Sequence, residues 1–366
     1  MRRVFALDFV RAAAIVCVLL AHAWQTRFFF SGSVDGSLEA HFMLVFFLLF
    51  QAGTAAFVLI SGALIIPKER REGFPFLWRR AFSFLLLAAF WSVATNACWY
   101  VASGWDVSSS LWYSLRYHSL IFGGWGNHAG HLWFLLMIWG LYLAAPYLAR
   151  LAYVTPARDI LIFVGISCLL FPLPLTLDAD STARSFLDAD VLVTFGGYEV
   201  FGVFTSWFLL GHLFWSEDAR GRIACVTRHG GLWLLLLLSL VIGAGGALEF
   251  WKTGALSVFA PMHLFRSSLP LFFAAPFFFL LMLYIAPWAE RQWFAVWLSR
   301  LARHSFGIYL SHLGLMYLLT VFLAAHGFGP ARGLLFVVLI FLLDLFVSWG
   351  LTALFFRLPL LRRFVS

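Results

Sequence analysis

Ten long apolar runs set what this chain can fold into. They lie near residues 5–27, 42–66, 81–102, 132–150, 159–177, 191–215, 230–250, 258–287, 304–325 and 333–356. A helix needs roughly twenty apolar residues to cross the hydrocarbon of a bilayer, and these runs match that length. They are too long for barrel strands, and within lipid a backbone must satisfy its own polar groups. The runs therefore predict an all-α, polytopic integral membrane protein of about ten transmembrane helices. Composition agrees, at 63% hydrophobic and 11% charged with a mean hydropathy of +0.91; soluble domains are about a quarter charged. The 43 Phe and 17 Trp suit lipid-facing surface and the membrane–water interfaces. No polar stretch is long enough to form a soluble domain, so residues 1–366 read as a single transmembrane domain.

Charge orients the spans. With the N-terminus inside and the connections alternating, 19 of the 25 Lys and Arg residues fall on the inner side. Arg27, Arg116, Arg184, Lys252, Arg266 and Arg332 remain on the outer side. By the positive-inside rule both termini are cytoplasmic, which predicts a multi-pass protein of the cytoplasmic (inner) membrane, bathed in membrane lipids. The net charge of +8 finds its use there. No soluble basic module accompanies it, so nucleic acid is not expected as a partner. Cys17, Cys98, Cys168 and Cys225 share no metal-ligand spacing and read as structural thiols without a disulfide framework. Asp178, Asp180, Asp188 and Asp190 read as a solvated acidic outer loop, and no metal is expected. Ala21-His22-Ala23 mimics a signal-peptide cleavage site, but Asp8 and Arg11 interrupt the start of that run, so it reads as a retained first span.

Ionisable residues inside spans are costly, which makes each a functional candidate. On the first span, Asp8 precedes Arg11 by one turn and can pair with it. Arg11 and His22 are eleven residues apart, three turns and about 16 Å along one face. His131 and Trp133 open the fourth span at its outer end. Ser305, Tyr309 and His312 fall at i, i+4 and i+7 on the ninth span, where Gly307 permits close helix approach. Glu199, Arg266 and Asp344 read as structurally paired charges.

Five stretches in order give the chain a resemblance. They are Leu7-Asp8-Phe9-Val10-Arg11 with ten residues before His22; Phe57 to Leu64 around Ser61-Gly62; His131 to Leu135 followed by Gly140 to Leu143 and Pro146; Phe208 to Gly211; and Ser305 to His312. Together they resemble the membrane acyltransferase family 3, and its surface-polysaccharide O-acetyltransferase branch of the enterobacterial common antigen type in particular. Ala56-Phe57 departs from the paired aromatics that often precede Ser-Gly in that family. The resemblance implies transfer of an acyl group, usually acetyl, from cytoplasmic acyl-CoA to a hydroxyl of a surface glycan or lipid-linked saccharide. It implies that Arg11 and His22 are essential.

The residue chemistry fits that expectation. Acyl transfer to an alcohol needs a base for the hydroxyl proton, and histidine is the commonest choice. His22 is the candidate base or transient acyl carrier, with Arg11 and Asp8 beside it on the first span. Acetyl-CoA, the acyl donor, carries phosphates that suit arginine, so Arg11, Arg79, Arg80 and Arg303 are candidate cofactor-binding residues on the cytoplasmic side. Ser61, His131, Trp133, Tyr309 and His312 are candidates to support the acceptor or the carbonyl oxygen. The rival from another class is a transporter or flippase of lipid-linked saccharides; matching broken spans in two halves would mark one, and the sequence shows none.

Overall fold

The structure is a computed structural model. It describes residues 4–31, 38–72, 74–119, 128–170, 203–216, 230, 233–234, 237–241, 244, 269–358 and 361–365, with the backbone alone at 28–31, 38–48, 68–80 and 362. Among these the secondary structure is helical, without strands. In chain order the helices are α1 (Phe5–Ser31), α2 (Leu38–Glu72), α3 (Phe74–Ala102), α4 (Val107–His118), α5 (Trp133–Val154), α6 (Ala157–Leu170), α7 (Thr205–Trp215), α8 (Leu269–Glu290), α9 (Ala295–Ala325) and α10 (Leu334–Arg357). Among the described residues, seven helices are long and apolar enough to cross a membrane: α1, α2, α3, α5, α8, α9 and α10. They coincide with seven of the ten expected runs. The runs near 159–177 and 191–215 are described only in part, as α6 and α7, and most of 230–250 lies outside the described residues. So do Asp178, Asp180, Asp188, Asp190, Glu199, Cys225 and Arg266. Helix α1 runs unbroken through Ala21-His22-Ala23. Helix α9 starts nine residues before the expected span, because its first turns carry Arg300, Arg303 and His304 and so lower the local hydropathy without ending the helix.

The chain divides into two compact units. The first takes residues 1–17, 34–81 and 137–296. Its centre is the packing of α2 on α7. A Cβ placed on Gly62 would run into the backbone carbonyl of Phe208, and one on Gly211 into the carbonyl of Leu59. The two glycines thus let the backbones touch, which is how helices associate where lipid removes the hydrophobic driving force. Residues Val203–His212 are all buried, so α7 is enclosed on every side. The Trp207 indole N–H donates to the Phe272 carbonyl at 3.1 Å and ties α7 to α8. Gly53 of α2 meets the Ala14 carbonyl of α1 in the same manner.

The second unit takes residues 18–33, 82–136 and 297–366. Ala23, Met316, Leu323, Phe336, Val337 and Ile340 form a core joining α1, α9 and α10. Gly307, expected to permit close approach, faces the Thr352 side chain of α10. Gly314 faces Thr95 and Cys98 of α3. Helix α10 is inside-out by the standards of a soluble protein. Asp344, Ser348 and Thr352 are fully buried along one stripe, while Phe346 and Leu354 are more than half exposed. That pattern suits lipid outside and polar contacts within. The Ser348 hydroxyl donates to the Asp344 carboxyl at 3.1 Å, so the described partner of this carboxyl is a serine. Among the described cysteines, Cys17, Cys98 and Cys168 are free thiols.

Candidate active site

Three histidines from three helical segments meet in the second unit. The His22 ring lies 5.0 Å from that of His312 and 6.5 Å from that of His131, centroid to centroid. His131 and His312 are 5.1 Å apart. Helix α1 supplies His22, half-buried between Ala21 and Ala23, whose small side chains leave room for rings on either side. The 3-10 turn Gly130–Leu132 that leads into α5 supplies His131. Helix α9 supplies His312 and Tyr309. His131 and His312 are buried, at 3% and 0% exposure.

Backbone carbonyls fix both buried rings. The Nδ1–H of His312 donates to the Tyr309 carbonyl at 2.7 Å, and the Nε2–H of His131 donates to the Leu310 carbonyl at 3.3 Å. A carbonyl only accepts, so these nitrogens must carry the protons. In a neutral ring the other nitrogen then keeps its lone pair. Those nitrogens, His312 Nε2 and His131 Nδ1, are buried with no hydrogen-bond partner among the described residues. The Tyr309 hydroxyl donates to the His131 carbonyl, and its ring packs 5.5 Å from Phe134. Tyr309 therefore holds the turn that carries His131. Trp133 is half-buried beside Phe134 at the start of α5.

The remaining sequence candidates are placed elsewhere in the chain. In the first unit, Arg11 lies 3.7 Å from Asp8, as the one-turn spacing predicts, with Asp8 buried and Arg11 partly exposed. The Ser61 hydroxyl donates to the Phe57 carbonyl at 2.8 Å, within its own helix. Arg79 and Arg80 stand near the start of α3, and their side chains lie outside the described residues. Arg303, in the second unit, is exposed on α9. Among the described residues no three His, Cys, Asp or Glu side chains are gathered as ligands of a metal ion.

The sequence reading passed over helix α4 and His128. The α4 stripe Ser110, Ser114 and His118 is buried, and Asp106 caps the helix through the Ser109 N–H at 3.0 Å. This cap and the neighbouring Ser108 hydroxyl stabilise the carboxylate and hold it well below the ordinary range. His128 stacks on Trp99 at 4.1 Å, and its carbonyl accepts from the Tyr317 hydroxyl at 2.9 Å. The period of four in Ser110, Ser114 and His118 was the available signal.

Buried imidazoles with unpartnered nitrogens are costly among apolar helices, which marks the cluster as a candidate site. A family model described as an acyltransferase domain matches residues 4–353. The chain belongs to that family, acyltransferase 3, and is a membrane acyltransferase. Neither the curated proteins nor the solved structures contain a significant match to it.

Proposed function

We propose that the protein is an O-acetyltransferase of the inner membrane. On this reading it moves an acetyl group from cytoplasmic acetyl-CoA to a hydroxyl of a surface glycan or of its lipid-linked precursor. The observation that carries the reading is the His22 ring set against His131 and His312, whose Nδ1 and Nε2 respectively are without a hydrogen-bond partner among the described residues. In the transfer, the acceptor hydroxyl loses its proton to His22 as its oxygen attacks the thioester carbonyl. The carbon–sulfur bond then breaks, and the coenzyme thiolate takes up a proton, so no net proton is consumed. His131 and His312 flank the base and stabilise the imidazolium as it forms, through nitrogens able to accept its N–H. Tyr309 is a positioning residue, acting through the His131 turn. Arg11, with Arg79, Arg80 and Arg303, supplies cations for the coenzyme phosphates. Ser61 and Trp133 remain candidates for contact with the acceptor.

Ten spans with both termini cytoplasmic complete the reading, and the 19 to 6 asymmetry of basic residues supports it. The test pairs two measurements. Purified protein in detergent is given acetyl-CoA, and release of free thiol is followed. Surface glycans from cells with and without the protein are compared by mass spectrometry. An acetyl mass increment on a glycan, present only with the protein, is the expected result. Unchanged glycans with no thiol release would remove the proposal.

A further inference from the structure

Helix α4 inverts the pattern of a soluble amphipathic helix. Ser110, Ser114 and His118, one turn apart along one stripe, are 0, 0 and 4% exposed, while Leu111, Trp112 and Leu115 are 45, 66 and 53% exposed. In water the leucines would turn inward. Turned outward, they fit a lipid interface, with Trp112 and Arg116 at the headgroup level. The polar stripe is left facing protein. There the His118 Nε2 pairs with the Tyr100 hydroxyl at 2.9 Å. The His118 Nδ1 and the Ser114 hydroxyl are buried and unpartnered among the described residues. Buried polar atoms are satisfied as a rule, so two orphans on one stripe point to an absent partner.

Aromatic rings flank these atoms. Trp105 lies 4.9 Å from Tyr100 and 5.4 Å from Tyr113, and Tyr113 lies 6.0 Å from His118. Trp105 is 45% exposed, so the ring cluster reaches the surface. The stripe itself carries no acidic or basic group other than His118, which burial pushes below its ordinary pKa. An uncharged wall of hydroxyl, imidazole and phenol suits a neutral polyol better than a phosphate. Ring faces beside hydrogen-bonding groups suit a pyranose, which has apolar C–H faces and hydroxyls around its edge.

We propose that Tyr100, Ser114 and His118, with the Trp105 and Tyr113 rings, form a saccharide-binding subsite. The choice of a sugar as ligand rests on the acyl-transfer reading above. The site lies in the same compact unit as the histidine cluster, and His128 stands two residues before the turn Gly130–Leu132 that carries His131. The backbone N–H of His128 donates to Asn96 of α3 at 2.8 Å. The Ser110 hydroxyl donates to the Asp106 carbonyl at 2.8 Å, so the subsite accounts for the two atoms of the stripe that packing leaves unsatisfied, the Ser114 hydroxyl and His118 Nδ1.

The test uses the full chain in lipid nanodiscs, titrated with the methyl glycosides of glucose, galactose, rhamnose and N-acetylglucosamine. Hydrogen–deuterium exchange is followed over residues 107–118. At least one glycoside is expected to slow exchange there, with affinity about tenfold lower in His118→Leu and in Trp105→Ala, as befits one lost contact. Trp105 is partly exposed, so Trp105→Ala keeps the test decisive if His118→Leu fails to accumulate. No slowing by any glycoside, equal slowing by glycerol, or unaltered affinity in Trp105→Ala overturns the subsite. Thioester cleavage of acetyl-CoA by the unaltered protein is measured on the same preparation. Glycoside binding without thiol release removes the transfer reading and keeps the subsite; thiol release with no response to any glycoside does the reverse.

Discussion

His22 sits between two alanines on α1, and its ring faces imidazoles from two other segments. The sequence marks His22 as a costly residue within a span and, by resemblance, as essential; its neighbours come from positions more than a hundred residues away, and no local pattern announces their approach. Replacing it tests the chemistry with little loss of packing, because the site already tolerates partial exposure. His22→Ala should lower transfer by about 10²–10⁴, the usual value of a positioned acid–base group. The protein should still insert and accumulate, as blotting of membrane fractions will show; near wild-type transfer would end the catalytic assignment. Arg11→Lys separates charge from geometry. Lysine can still face Asp8, but it loses the planar fork that grips phosphate. The expected outcome is weaker binding of acetyl-CoA with unchanged accumulation, read by titration of the purified variant. His128 gives a pH handle outside the spans. Burial, with the charge of His118 adding to it, pushes its pKa down to about 4. A histidine lowered in the fold contributes stability that is present above its unfolded value of about 6.5 and is lost as pH falls towards 4. Thermal unfolding in detergent should therefore move to lower temperature between pH 6.5 and 4. His128→Asn should flatten that slope, whatever it does to the midpoint at pH 7.5.

At the level of elements, close backbone contact recurs wherever helices cross. Gly62 meets Phe208, and Gly211 meets Leu59, so two stretches that the sequence marked separately turn out to be the two halves of one contact. Their spacing along the chain hides this, since a crossing of helices is not a periodicity. Gly62→Leu or Gly211→Leu would force a side chain into a main-chain carbonyl that has nowhere to move. Overpacking a core typically costs about 1–3 kcal/mol, and a backbone clash lies at the upper end. Both variants should fail to accumulate or should aggregate in fluorescence-detected gel filtration, whereas Gly350→Leu, with open space around it on α10, should behave as the parent. The long spans were legible because an apolar run of sufficient length is a local property. Helix α4 was not, because it has no apolar run and its buried face is the polar one. The early start of α9 escaped for a related reason: charged first turns extend a helix into water, where hydropathy is blind to it.

Across the whole chain, orientation is the property that sequence constrains best and coordinates alone constrain least. Basic residues near span ends resist translocation, and acidic ones contribute little, so the bias is counted in Lys and Arg. The cytoplasmic assignment of the tail rests on Arg357, Arg362 and Arg363 after α10, and that of the second connection on Lys68, Arg70, Arg71, Arg79 and Arg80. The segment between α3 and α5 holds Arg116 as its single Lys or Arg, and on the proposed orientation α4 lies on the outer face. The exposed Leu111, Trp112 and Leu115 are consistent with an interface on either side, so charge alone decides. Two reporters test the assignment together. An enzyme active only outside the cytoplasm, fused after Ser366, should stay silent; the same enzyme inserted after Gly104, in the exposed turn between α3 and α4, should be active. Activity at Ser366 with silence at Gly104 would invert the chain, and would move the arginines proposed for the coenzyme to the side where no acetyl-CoA is made. Activity at both sites would leave an even number of crossings after Gly104, where ten spans require seven, and would remove the ten-span count while sparing the outer placement of α4. Silence at Ser366 with activity at Gly104 is the result that an even number of spans and cytoplasmic termini require.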